Sequence, residues 1–383
     1  MESHMKKENL CSRCLKRYEA LSGKLLGAEF QPAEDEKECV ACRGVFLKTR
    51  DFLQKALESA KGFEFQTFLV GCILPDKVMD KEKELKERLG IEGVNGVKQE
   101  INRETGIEIE KTGKKFDLKE PDAQIVLDYI GSRVKLQLKP LYVYGRYLKL
   151  ERGLPQTKWP CRWCSGQGCK KCEFKGKMYA ESVEELIAGP FMKAAQGKRH
   201  SFHGKGREDI DARMLGNGRP FVLEVEEPVK RYLDFAALEG EVNKENAGRV
   251  QVIGLRPSDK KEVVRIKAEA SDKEYEAVIE CDAELTSEDA ARVEALSNLE
   301  LSQVTPERVA HRRADLTRKR KVLKARVASL EGNSMKLALR TESGTYVKEF
   351  ISGDNGRTNP SISSILGKKC VCTALDVVRV EGD

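Results

Sequence analysis

No stretch of this sequence approaches the roughly 20 consecutive apolar residues that a membrane-spanning helix needs. Its first residues, Met1 to Leu10, are charged where a secretory leader would be apolar. Both absences lead to the expectation of a soluble, cytoplasmic protein. Also missing are a Gly-x-Gly-x-x-Gly turn of the dinucleotide-binding kind and a Gly-x-x-x-x-Gly-Lys-Ser/Thr phosphate loop, which weighs against an adenosine-bearing cofactor. Nor is charge of one sign in large excess. The 69 Lys and Arg against 62 Asp and Glu leave +7, so where the cations cluster matters more than their sum. A chain of 383 residues has length for roughly two to three domains.

What the sequence does hold is cysteine, 12 in all. In a reducing compartment disulfides are not the expected use, and metal binding is. Eight of the cysteines form Cys-x-x-Cys pairs, while Cys72, Cys281, Cys370 and Cys372 stand apart and read as ordinary buried thiols. Cys11, Cys14, Cys39 and Cys42 lie near the two ends of a short charged segment, residues 1–44, poor in large apolar side chains. Such a segment cannot fold on a hydrophobic core alone, but a tetrahedral zinc held by four thiolates would close it. A tighter run follows later: Cys161-Arg162-Trp163-Cys164 and Cys169-Lys170-Lys171-Cys172, with glycines at the turns. Zinc is the default there too; a turn with free thiols, or half of a larger metal site, stays open.

From Val45 the spacing of Phe46, Phe52, Leu53, Ala56, Leu57 and Ala60 predicts a helix ended by Gly62. A strand is expected over Phe65 to Leu74, stopped by Pro75, then two polar helices between Asp76 and Thr112. Strands are expected at Ala123 to Tyr129, Val134 to Leu138 and Leu141 to Leu148. This α+β module, residues 45–152, resembles a THUMP domain, the RNA-binding unit of several tRNA-modifying enzymes. Phe68-Leu69-Val70-Gly71, Lys98-Gln99-Glu100 and Arg146 to Leu150 carry the resemblance. The cysteine-rich connector spans residues 153–182, and a larger α+β domain follows over residues 183–383. Its expected strands are Phe221 to Glu226, Val250 to Leu255, Val263 to Ala268, Glu274 to Glu280, Lys336 to Arg340 and Val371 to Val380, with helices near Val229 to Leu238, Ser287 to Leu296 and Ser361 to Leu366. One broad mixed sheet with flanking helices fits that pattern.

At the entrance of this domain His203 to Phe221 reads as a glycine-punctuated loop dense in Arg and Asp, either a ligand-facing loop or a solvated turn with local ion pairs. Within it, Gly206-Arg207-Glu208-Asp209 looks like the motif that bears the catalytic aspartate of pseudouridine synthases. The longer run through Met214 to Glu224 is similar to the THUMP-containing tRNA pseudouridine synthases of archaea and eukaryotes that act on the TΨC arm. So are Glu181 to Ile187, Thr305 to Asp315 and Gly344 to Asp354.

That resemblance implies a multidomain α+β chain: a zinc knuckle, a THUMP-like domain, and a catalytic domain on a mixed, mainly antiparallel sheet. It implies isomerisation of uridines 54 and/or 55 of tRNA. Asp209 would be the catalytic carboxylate, Tyr275 the tyrosine packed on the base and implicated in proton removal, and Lys348 the basic residue paired with the aspartate. Tyr346 and Leu366 would line the site, and Arg207 would help displace the nucleotide. The reaction adds no group and needs no cofactor, so zinc would be structural. A carboxylate could act as nucleophile or as base at C2′, and the sequence does not choose.

Reaching a stacked uridine requires flipping it out, offset by RNA contacts. Arg308, Arg312, Arg313, Arg318, Lys319, Arg320, Lys321, Lys324 and Arg326, with Lys193, Lys198 and Arg199, are the candidates for phosphate contact. The THUMP-like module would hold the acceptor end. No obligate protein partner is implied. The competing readings are a non-catalytic zinc-containing tRNA-binding protein and another tRNA-modifying enzyme on a THUMP scaffold.

Overall fold

The computed structural model describes residues 7–27, 29–91, 95–312 and 314–382, without the side chains of His311 and Arg312. Two compact units emerge: Met1–Pro140 with Glu226–Tyr232, and Leu141–Val225 with Leu233–Asp383. Among the described residues no helix is long and apolar enough to cross a membrane.

In the first unit a small sheet runs in the order Lys115–Phe116, Thr67–Ile73, Ala123–Asp128, Arg133–Leu138. Its first three strands are parallel and the last is antiparallel. The alternating burial of Thr67–Ile73 shows one face against the core, which the helices Thr49–Ala60, Asp76–Leu89 and Val97–Glu110 cover. All three were expected. The N-terminal segment forms the helix Ser12–Ser22 and shares one continuous core with this module, through Leu10, Tyr18 and Phe30 beside Phe52 and Phe68. Arg13 ties the two together, its guanidinium bonding Glu100 at 2.9 Å and Glu104 at 2.5 Å.

The second unit is built on one ten-stranded sheet, ordered Val250–Ser258, Leu141–Lys149, Arg213–Glu226, Cys370–Val380, Lys273–Cys281, Ser334–Thr341, Thr317–Glu331, Leu299–Val304, Thr358–Asn359, with Arg199–Gly204 paired to Arg213–Glu226 off that path. Along that path every pairing is antiparallel except that of Cys370–Val380 with Arg213–Glu226. Its core draws Tyr147, Phe191, Phe221, Ile279, Leu337 and Phe350 from strands and helices alike.

Five expectations change here. The helix expected near Val229 to Leu238 starts only at Phe235, capped by Asp234, and runs to Glu245. The strand at Leu141–Lys149 forms but joins the large sheet, pairing with Arg213–Glu226 and Val250–Ser258; it is buried on both faces, which a central strand requires. Val263 to Ala268, read as a strand from its β-branched pair, lies in the helix Lys260–Ala268, capped by Asp259 and burying Val263 and Ile266 at helical spacing. The stretch Arg213 to Phe221 is strand rather than loop. A Cβ on Gly216 would sit 1.7 Å from the Val378 carbonyl oxygen, so glycine is there for close backbone approach. Finally, Cys281 and Cys370 face one another in register on paired strands and form a disulfide.

Candidate active site

Asp209 follows the end of the strand Arg199–Gly204 in a turn fixed from below by a buried ionic network. The Lys149 ammonium, fully enclosed, donates to the carbonyl oxygens of Leu154 at 2.8 Å and of Asp209 and Ile210 at 3.1 Å. Burial lowers the Lys149 pKa, with Glu208 opposing. The neighbouring Glu208 carboxylate is buried too. It accepts from Arg219 Nε at 2.8 Å and from the Tyr147 hydroxyl at 2.8 and 2.9 Å. Gln156 donates to the Tyr147 oxygen at 2.8 Å and to the Gly206 carbonyl at 3.0 Å. Burial, then the Glu208 charge, hold the Tyr147 phenol well above its ordinary range. The two acids of the motif therefore part: Glu208 turns inward, and Asp209 turns outward with its side chain 30% exposed.

Outward lies a cavity of ≈ 540 Å³, walled among others by Asp209, Arg207, Tyr275, Arg308, Tyr346 and Lys348. Arg308 Nη1 donates to Asp209 Oδ1 at 2.8 Å, and its Nε to Glu349 Oε1 at 2.6 Å. The Arg308 pKa is raised: burial works against the charge, and Glu349 and Asp209 outweigh it. Lys348 Nζ lies 3.9 Å from Asp209 Oδ2 but 2.5 Å from Asp211 Oδ2. The expected lysine partner is thus a second-rank neighbour of Asp209, and Arg308 is the direct one. Tyr275 stands on the strand Lys273–Cys281 opposite Leu339 and Val377, and burial pushes its phenol up to about 12. Two residues earlier, on the same face, Lys273 also lines the cavity; burial lowers its ammonium to about 8.

Of the other expected site residues, Tyr346 lines the cavity at the start of the helix Val347–Ser352. Arg207 lines it with its guanidinium 5.1 Å from the Trp159 ring centre. Leu366 does not line it: it ends the helix Ile362–Leu366 in the hydrophobic core. Arg313 and the Arg312 side chain lie outside the described residues. The basic run Arg318 to Arg326, expected as phosphate contacts, lies on the strand Thr317–Glu331. Sequence reasoning missed Lys149, Arg219 and Lys273 as parts of the site. The alternation Lys273-x-Tyr275, one residue ahead of the strand expected from Glu274, was the available signal, since in an extended chain it puts both side chains on one face.

The cysteines form two groups of four, Cys11, Cys14, Cys39, Cys42 and Cys161, Cys164, Cys169, Cys172, each with its sulfurs within 4.8 Å of one another. Cys11 and Cys42 sulfurs lie 3.8 Å apart, Cys161 and Cys169 3.9 Å, and Cys169 and Cys172 3.7 Å. Metal–sulfur bonds of about 2.3 Å in a tetrahedron put sulfurs about 3.8 Å apart, so both groups fit one such ion.

Residues 142–381 match the family model described as Pus10, C-terminal, and residues 52–128 match Pus10 THUMP domain, archaeal. The chain is 45% identical over 351 residues to the tRNA pseudouridine synthase Pus10 of Methanocaldococcus jannaschii, covering 91% of this chain and 76% of that one. It is 39% identical over 376 residues to the tRNA pseudouridine synthase Pus10 of Archaeoglobus fulgidus, covering 97% and 99%. Among solved structures, a Cbf5-Nop10-Gar1 complex matches 62% of this chain and 48% of its own at TM-score 0.35 and 16% identity, too slight a likeness to argue from.

Proposed function

This chain belongs to the Pus10 family of tRNA pseudouridine synthases, and from that premise we propose that it isomerises uridine 54 and/or 55 in the TΨC arm, with Asp209 as its catalytic carboxylate. The observation that carries the residue assignment is the single cavity in which Asp209, held by Arg308, faces Tyr275 and Lys348.

The reaction breaks the N1–C1′ bond, turns the base, joins C5 to C1′, and exchanges the C5 proton for one on N1, with no oxidation or reduction. Asp209 is the acceptor of that chemistry, as nucleophile or as base at C2′. Arg308 and Lys348 set positive charge against it and fix its direction. With a phenol pKa of about 12, Tyr275 is neutral at pH 7. It serves as a ring face against the detached uracil, and its hydroxyl is a donor rather than a standing base. Arg207 at the rim supports the displaced nucleotide. The module of residues 52–128 holds the acceptor end of the tRNA, and the protein works in the cytoplasm.

The direct test is pseudouridine mapping by carbodiimide primer extension on an unmodified tRNA transcript. The expected result is a stop in the TΨC arm; an unmodified arm after incubation with folded, tRNA-binding protein would refute the assignment. Arg308→Gln is expected to lower kcat about 10²-fold by letting Asp209 drift from its direction, with KM for tRNA little changed in steady-state kinetics.

Both cysteine groups suit zinc, whose role here is structural. Elemental analysis should return two zinc ions per chain, and Cys161→Ser combined with Cys164→Ser should leave one. An unchanged count in that variant would remove the second site.

A further inference from the structure

The loop from Trp159 to Glu181 is far longer than the connections of about 2–6 residues usual in compact domains. A metal knuckle explains its cysteines but not its surface. Trp163 is 58% exposed and Phe174 72%. A single exposed aromatic needs no explanation, but these are interleaved with Arg162, Lys170, Lys171, Lys175 and Lys177 against Glu173 and Glu181, of which Lys175 pairs with Glu173 and Lys177 with Glu185. Four thiolates around a divalent ion carry a net charge of −2, which those cations outweigh. Lys171 Nζ lies 4.9 Å from the Trp163 ring centre, so ring and cation belong to one patch.

The base of the loop is built onto the catalytic cavity. Trp159 meets the cavity residue Arg207 on its ring and Tyr179 edge-on at 5.4 Å, and Gln156 just before it bonds the Gly206 carbonyl. This end of the loop therefore borders the cavity through Arg207 and Gly206. Aromatic faces among cations are the chemistry that grips unstacked nucleotides, each base offering a π-face and each linkage a phosphate. A protein partner would be met by a surface poorer in lysine.

We propose that this loop is a stacking platform for an unpaired nucleotide next to the target uridine in the same RNA, with Trp163 supplying the ring face and Lys170 and Lys171 the phosphate contacts. Extruding the target strips its neighbour of a stacking partner, and the platform replaces it. This rests on the reading of the cavity as the uridine site.

The test uses the full chain and an unmodified tRNA transcript, with Kd from filter binding and kcat and KM from turnover. Trp163→Ala should raise Kd and KM about 5- to about 150-fold, the span for losing one stacked base, with kcat and zinc content unchanged. Trp163→Phe should recover most of the affinity. Lys170→Gln with Lys171→Gln should flatten the log–log salt dependence of binding by about 0.7–0.9 per lost contact. The proposal is overturned if Trp163→Ala keeps its zinc and binds like wild type. If that variant loses zinc, an unchanged salt slope in the lysine variant overturns it instead. Because binding is read without turnover, Trp163-dependent binding by a wild-type protein that forms no pseudouridine would count against the reaction and not against this surface.

Discussion

Asp209→Asn is expected to cut pseudouridine formation by about 10⁴-fold or more while leaving tRNA affinity within about threefold, since a carboxylate makes no attractive contact with the phosphate backbone that supplies most of the affinity. The substitution keeps shape and one hydrogen-bond acceptor, so Arg308 retains a neutral partner and Glu349 its own bond to Arg308. What is lost is the negative charge that must act on the ribose or ring. Glu208, the adjacent acid, cannot replace it: its carboxylate is enclosed and saturated by Arg219 and Tyr147. Carbodiimide mapping together with filter binding on the same preparation checks both halves. A variant that modifies at even a tenth of the wild-type rate would remove Asp209 from the chemistry.

The second large effect is on stability. Arg219 and Glu208 have side chains 1% and 0% exposed, so their interaction is not screened by solvent. Arg219→Met leaves the Glu208 carboxylate buried with the Tyr147 hydroxyl and with Lys149 at 3.9 Å. It also removes the donor to the Lys205 carbonyl. Breaking one side of a buried pair costs about 3–5 kcal/mol. For a unit of this size that lowers the melting temperature on the order of 10 °C. Adding Glu208→Gln should recover part of the loss, because the two changes share one interaction and do not add. Melting of the single and double variants followed by circular dichroism checks this; a single variant within a degree or two of wild type would show that the network bears little of the fold's stability.

Much of the fold was legible where chemistry is local. A Cys-x-x-Cys turn encodes its own geometry, which is why both four-sulfur groups could be read from spacing. The helix Thr49–Ala60 declared itself by its 3.6-residue period and the glycine that follows it at Gly62. Where tertiary contact decides, the sequence misled. Gly216 looks like a loop residue because glycine is poor in strands, and its reason for being there, the Val378 carbonyl, comes from a strand far along the chain. Leu141–Lys149 has the β-rich texture of any strand, and nothing in it says which sheet it joins. Val263 and Val264 pulled the reading of Lys260–Ala268 toward strand, while its Asp259 cap spoke for helix.

The site divides in the same way. Asp209 came from a short motif, and Tyr275 and Lys348 from the resemblance that the motif opened. Arg308 was seen only as one cation in a run, because its partnership with an aspartate far upstream exists only once the strands are assembled. Lys149 was invisible for a different reason. Lysine is almost never fully buried, so no rule would place its ammonium under the backbone of the turn that carries Asp209, where it fixes the Asp209 carbonyl. Leu366, marked by the resemblance alone, packs in the core at the end of the helix Ile362–Leu366.

The most direct measurement is release of tritium from C5 of uridine in a tRNA transcript, compared with a transcript in which both TΨC-arm uridines are replaced by cytidine. Wild-type protein should release tritium from the first and none from the second. Equal release from both, or none from either by protein that binds the transcript, would contradict the central claim that this cavity isomerises a uridine of that arm.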